Sequence, residues 1–493
     1  MNYRELSNQL NGRFTARRRN MSFSYDVAKP QDSSNHWCVT ENNRNNARNV
    51  NFNDGNANNN NKYNGNVIRG VAAFGDYVPA SFLSSVWEAY HDCIKGKMTS
   101  PQAVEYMPKA STDIPKLAYE LWSGTYEIGT STCFLVKYPK WREVFAANFR
   151  DRIVHHWICM RLEPLFEERF VYQNNHSFNC RKGFGTNKAV LHIQNAMERI
   201  SDNYHKQAWI FKGDLVGFFM SIDKNLLWYL LERFITRWRK RNEREGWSRL
   251  DYDIFDRLNM REMPEMYWDI LLRTTKKVVM HHPEKNCTLN SPISFWKNLQ
   301  PNKSLFTSPT GEPIGNLTTQ LFANFLMSYF VQRVLYLTRR KNFDMAQFVD
   351  DFIMVCDDKR FLIDLIPQVE DFLYTKLKLT LHKDKRYMQP VYHGVLFVGS
   401  YIKPKRNYLS NRTVARMCGR CHKFGKILES GMFNNFTLYH IEQVLNSYMG
   451  FCKGHRTYEM KKAYIEMLGS NFWKYFYVKG HYESIRLKES YRV

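Results

Sequence analysis

Two short apolar runs, Ala346 to Val349 and Phe352 to Val355, flank the adjacent carboxylates Asp350 and Asp351. Apolar runs joined by a two-residue acidic turn predict a β-hairpin with both carboxylates at its tip. A second apolar strand, Ala208 to Phe211, runs into Asp214. A Gly-containing turn follows, and then an amphipathic helix opening near Asp223 with Leu226, Leu227, Leu230, Leu231 and Phe234 at helical spacing. Gly311-Glu312-Pro313 reads as a turn opening an apolar helix, Leu321 to Tyr329. Helical periodicity also covers Tyr77 to about Trp122, Arg150 to about Glu168, and Phe361 to Leu377. Cys133 to Val136 and Lys378 to Lys385 read as strands, and the chain from Lys403 onward reads as basic helix. The mixture predicts an α+β protein.

A lone Asp-Asp pair is most often an acidic surface turn. A third carboxylate at the end of a neighbouring strand changes that reading. Three such groups can hold two cations ~4 Å apart, the arrangement that stabilises attacking and leaving oxygens in phosphoryl transfer. Hard oxygen donors of this kind suit Mg²⁺.

With these stretches in order, the chain resembles reverse transcriptases over about residues 78 to 460. Asp214 matches the first catalytic aspartate of that family, and Phe348-Val349-Asp350-Asp351 matches its Tyr/Phe-x-Asp-Asp box. Where most bacterial members carry Gln-Gly-x-x-x-Ser-Pro, this chain has Ile314-Gly315-Asn316-Leu317-Thr318-Thr319-Gln320. That stretch is similar to the form in diversity-generating retroelements, with Thr319 in place of Ser. The resemblance implies a right-hand polymerase of fingers, palm with a small antiparallel sheet, and helical thumb, copying a template-repeat RNA into cDNA with errors at adenines. It implies two Mg²⁺ ions, for which Mn²⁺ could substitute, on Asp214, Asp350, Asp351 and the carbonyl of Leu215. It places Lys385 at the leaving pyrophosphate. Lys140 and Arg142 fall on the triphosphate, and Phe219, Ile314 and Gly315 on the incoming nucleotide. Arg181, Gly183, Gly185, Gln320, Gly399 and Tyr401 fall on template and primer. Phe219 would be the bulky gate against a ribose 2′-hydroxyl. The implied partners are template RNA, cDNA, dNTPs and a small basic accessory protein. Another bacterial reverse transcriptase class, or a non-catalytic RNA-binding protein, are the alternatives.

Charge agrees with a polyanionic partner: 71 Lys and Arg against 47 Asp and Glu give a formal +24 over 493 residues. No apolar run approaches the ~18 residues a membrane span needs, and no signal peptide is evident, so a cytoplasmic protein without membrane attachment is expected. Ten scattered cysteines then read as thiols. Cys418, Cys421, Cys452 and His455 have zinc-like spacing but lie in helical sequence and are read as thumb residues. Residues 1–76 are expected to be a disordered extension. Of the 26 residues from Glu41 to Asn66, 14 are Asn, a composition too polar to offset its ordering entropy. Trp37 through Gly75 also resembles the end of the variable ligand-binding domains that such retroelements diversify, which suggests a translated template repeat. Residues 77–130 would be a helical segment and 131–400 fingers and palm, with a helical insertion near the palm at about 237–305. Residues 401–493 would form the thumb and C-terminus.

Overall fold

The structure, a computed structural model, describes residues 78–98, 100–137, 140–245, 264–455 and 457–492. The Asn-rich extension, and the expectations attached to it, lie outside the described residues, as does the middle of the insertion.

The chain is α+β, as expected. Helices α1 (Ala80–Ile94), α2 (Pro101–Tyr106) and α3 (Ala110–Ser123) precede strands β1 (Ser131–Val136) and β2 (Arg142–Ala146). Helices α4 (Phe149–Tyr172) and α5 (Thr186–Ile200) lead to β3 (Trp209–Asp214), the short α6 (Phe218–Ser221), α7 (Lys224–Glu245) and α8 (Pro264–Met280). Then come β4 (Cys287–Leu289), α9 (Ile293–Trp296), α10 (Leu317–Thr338), β5 (Phe343–Phe348), β6 (Asp351–Cys356) and α11 (Lys359–Leu377). Strands β7 (Tyr387–Pro390), β8 (Val395–Phe397), β9 (Ser400–Lys403) and β10 (Arg406–Leu409) follow. Helices α12 (Asn411–Ser430), α13 (Asn435–Cys452), α14 (Tyr458–Glu466) and α15 (Phe472–Tyr475) precede the closing hairpin β11 (Phe476–Lys479) and β12 (Ser484–Leu487).

The central sheet has strand order β5-β6-β3-β7, antiparallel throughout. Its side chains alternate between two cores, as the period of a strand requires. Phe211, Met345, Phe352 and Met354 face the large helical core that includes Leu326 and Phe330 of α10 and Leu365 and Val369 of α11. Ile210, Ala346, Ile353 and Val355 face α5 through Ala189, Ile193 and Met197. Both faces are covered, so the strand ends are what the sheet leaves for chemistry. Asp223 starts α7 by accepting from Leu226 N at 2.8 Å, and Leu227, Leu230, Leu231 and Phe234 of its apolar stripe pack in the core.

Four expectations need correction. The stretch from about 237 to 305 is not wholly helical: beside α8 and α9 it contains β4, which pairs parallel with β1 to give a sheet of order β2-β1-β4. Lys378 to Lys385 forms no strand. Val216 N donates to the Thr380 carbonyl at 2.9 Å and His382 N to that of Asp214 at 2.8 Å, and beyond that single bridge β3 has turned away into α6. Residues 401–493 are not all helix, since they include β10 and the β11–β12 hairpin. Finally, the hairpin loop consists of Val349 and Asp350, while Asp351 already pairs with Phe348 as the first residue of β6.

The C-terminal helices have their own core, in which Cys421 and Cys452 are packed with Met417, Phe424 and Leu445. His455 turns instead toward Ser400, with Nε2 3.0 Å from its Oγ.

Candidate active site

β3 ends at Asp214, which sits directly opposite Asp351 in the antiparallel register, and Asp350 precedes Asp351 in the turn. Like charges directly opposite on a sheet repel. The two strands nonetheless close tightly here, because the Phe352 ring covers Gly213; a Cβ on Gly213 would meet its Cζ at 2.3 Å. Burial, then the charges of Asp351 and Asp214, push the Asp350 carboxyl up to about 6. Burial also raises Asp351, against the lowering effect of Lys212. Lysines temper the repulsion: Lys385 Nζ donates to Asp214 Oδ2, and Lys212 Nζ lies 3.6 Å from Asp351 Oδ1. Lys212 is not singled out by the sequence reading, although strand alternation puts it on the same face as Asp214.

These donors fit a divalent cation. They are hard oxygens at the end of two central strands, and burial holds the carboxyls of Asp350 and Asp351 above the usual range until a cation offsets their charge. Asp214, Asp350 and Asp351 would hold Mg²⁺. The bonds from Val216 N and His382 N flank Leu215, so the carbonyl of Leu215 is not used by that bridge.

The turn itself is strained. Val349 has φ +60°, left-handed and β-branched, a conformation costing ~1–2 kcal/mol. Asn179 Oδ1 accepts from Val349 N at 3.0 Å, and Gln347 Nε2 donates to the Val349 carbonyl at 2.7 Å.

On β2, Arg142 is near enough for its charge to act on Asp350. Lys140, Arg142 and Lys385 all act on Lys303, whose amine is lowered by partial burial and by these three cations. Arg142 and Lys385 thus neighbour the carboxylates directly, and Lys140 and Lys303 lie close to those two cations. Lys303 is the member that the sequence reading leaves without a role. It reaches the site because Glu143, buried on β2 beside Arg142, accepts from Ser304 Oγ at 2.7 Å and from Leu305 N.

Phe219 is half-buried on α6. Its carbonyl accepts from Glu312 N at 2.7 Å, and that of Met220 accepts from Thr310 Oγ1 at 2.9 Å. Ile314 is stitched to the fingers: its carbonyl accepts from Phe145 N at 2.8 Å, and its side chain packs against the cluster of Val136 and Val144. Gly315, at φ +136°, crosses β2 so closely that a Cβ would meet the Phe145 carbonyl oxygen at 2.4 Å. Gln320 lies half-buried in the first turn of α10. Gly399, at φ +89°, makes the β8–β9 turn, and Tyr401 Oη donates to the His393 carbonyl at 3.0 Å.

Arg181 is not a template-facing cation. It is buried, forks onto Glu167 with Nη2 2.8 Å from Oε2, donates to the Ser177 carbonyl at 2.7 Å, and stacks on Phe184 at 3.8 Å. A guanidinium so engaged braces the finger loop that carries Gly183 and Gly185. A glutamate earlier in the chain, on α4, is the only sequence signal, and it is a weak one. His176, His192 and Asp344 also gather within metal-ligand distance of one another. There, both rings lie against the Met345 carbonyl, at 2.9 and 3.0 Å, and Arg199 takes the second oxygen of Asp344 at 2.6 Å.

No family model and no curated protein matches this chain. Among solved structures, it is similar to apo telomerase from Candida tropicalis at 12% identity and TM-score 0.40, over 70% of this chain and 56% of that one. It is also similar to telomerase from Candida albicans in complex with a TWJ fragment of telomeric RNA, at 11% identity and TM-score 0.39, over 72% of this chain and 61% of that one. The chain thus spans somewhat over half the length of these structures. Likeness at this level carries no weight for function.

Proposed function

We propose that the chain is an RNA-directed DNA polymerase. The observation that carries this reading is the meeting of Asp214, Asp350 and Asp351 at one sheet end, with Lys385 bonded to Asp214 and the charge of Arg142 acting on Asp350. The 3′-hydroxyl of a primer gives up its proton to solvent as its oxygen bonds the α-phosphorus of a dNTP, the α–β anhydride breaks, and pyrophosphate leaves. Mg²⁺, when bound by the three aspartates, supplies charge stabilisation at the attacking and leaving oxygens. The finger cations bind and orient the triphosphate. Lys385, paired with Asp214 before substrate arrives, is then free to offset charge, or to give a proton, at the leaving pyrophosphate. Phe219 excludes a 2′-hydroxyl by its bulk.

Within that activity, the finer reading is the polymerase of a diversity-generating retroelement, copying a template-repeat RNA with an accessory protein. Ile314 supports it: an aliphatic side chain packed on the finger sheet offers the nascent pair no hydrogen bond.

The test is primer extension by purified protein on RNA and DNA templates with Mg²⁺, alongside Asp350→Asn. dNTP-dependent extension on RNA that the variant lacks is expected. No extension on either template, or equal extension by the variant, would overturn the assignment. Sequencing of the cDNA tests the finer reading, since errors spread evenly over four bases would refute it.

A further inference from the structure

We infer that Asn179 is a positioning residue for the catalytic turn, holding Val349 left-handed so that Asp350 is presented to the metal site. This rests on the polymerase reading above.

Val349 and Asp350 are the two loop residues of the β5–β6 hairpin, so the backbone of one decides the direction of the other's carboxylate. Two-residue hairpin loops favour left-handed backbone, usually supplied by glycine or asparagine. A valine there needs outside support, and the support is specific. Asn179 Oδ1 takes Val349 N at 3.0 Å, and Gln347 Nε2 takes the Val349 carbonyl at 2.7 Å. Both peptide groups of the strained residue are thereby bound.

Behind them lies a buried polar network. Gln347 Oε1 is 2.6 Å from Ser177 Oγ, which is also 2.6 Å from Asn324 Oδ1 of α10; Asn324 Nδ2 donates to the Asn179 carbonyl at 3.0 Å. All four residues, Ser177, Asn179, Asn324 and Gln347, are at most 2% exposed. The backbone adds a parallel fringe: Gln347 N donates to the His176 carbonyl at 2.8 Å, and Phe178 N to that of Gln347 at 3.0 Å. Burying so many polar groups is costly unless every one is satisfied, and here their combined geometry converges on one peptide. Arg181, two residues beyond Asn179, anchors the same segment onto α4 through Glu167. The finger loop and the catalytic turn therefore share one rigid connection.

The experiment is a double-mutant cycle in the full chain. Asn179→Ala should lower kcat for dNTP addition ~10-fold or more and raise the Mg²⁺ concentration for half-maximal rate, with KM for dNTP little changed. Glycine adopts the left-handed turn without support, so Val349→Gly introduced into Asn179→Ala should recover most of the lost kcat. If Asn179→Ala costs as much kcat in the Val349→Gly background as in the wild type, or costs nothing in the wild type, the inference is overturned. Wild-type protein inactive on every template would instead overturn the polymerase reading. Should Asn179→Ala not fold, Asn179→Asp decides, because it keeps an acceptor for Val349 N. Retained kcat supports the inference, and a folded Asn179→Asp without activity refutes it.

Discussion

Glu143 on β2 accepts from Ser304 Oγ at 2.7 Å, across 161 residues of chain. A second bond from Leu305 N to the same carboxylate makes the end of the insertion part of the fingers. The Trp141–Phe295 ring contact at 5.3 Å and the β1–β4 pairing do the same. The insertion is thus tied to the strand that carries Arg142, and Lys303 is delivered beside Lys140 and Lys385.

Glu143→Ala should therefore act at two levels. Losing a buried charged acceptor for two donors should destabilise the fold by ~2–3 kcal/mol, and the KM for dNTP should rise as Lys303 loosens. Lys303→Ala should raise KM several-fold with kcat and thermal stability nearly intact, for want of one phosphate-facing charge. Steady-state kinetics and a melt on both variants would check this; a Lys303→Ala variant with unchanged KM would remove Lys303 from the triphosphate site.

Asp350 gives a pH-dependent prediction. Its folded value of about 6 lies above the ~3.9 of a free aspartate. The folded state therefore binds the proton more tightly than the unfolded state does. The stability this contributes is full below pH ~4 and is lost as pH rises through about 6. In metal-free protein, Asp350→Asn should then raise unfolding stability by ~1–3 kcal/mol near pH ~7.5 and by little near pH ~4. Primer extension should be abolished at any Mg²⁺ concentration. Denaturation in chelator at the two pH values would show the difference, and an equal effect at both would contradict the electrostatic account.

Phe219→Ala should admit ribonucleotides, with the ratio of dNTP to rNTP efficiency falling ~10-fold or more. Deoxynucleotide use should be largely kept, because the bond from Glu312 N to the Phe219 carbonyl, which does not depend on the ring, holds the backbone there. Competition assays with paired dNTP and rNTP would measure it, and an unchanged ratio would make Phe219 a packing residue.

Ile314→Gln should lower errors opposite template adenine a few-fold, since a hydrogen bond near the nascent pair is worth ~1 kcal/mol. The gain should come with a small loss of stability, as the amide must leave the apolar contact with Val136 and Val144. Sequencing of cDNA from a mixed RNA template would read both direction and base preference; higher error in the variant would exclude this role for Ile314.

The α+β class, the hairpin, the helix after Asp223 and the three aspartates are legible in the sequence. Each follows from local rules: alternation along a strand, spacing along a helix, and a short list of residues able to hold a hard cation. What only the tertiary structure decided are the relations between distant segments. Arg181 reads as a phosphate contact because a cation beside glycines on a loop usually is one; Glu167 and Phe184 turn it inward, and nothing in the local pattern records that. Residues from about 237 to 305 read as helix throughout because β4 is three residues long, too short to carry a periodic signal, and its pairing with β1 exists only once the chain has folded. Val349 reads as an ordinary strand residue. Its left-handed backbone is held by Asn179, 170 positions away, and a strain balanced by a partner that remote leaves no trace in the sequence around it.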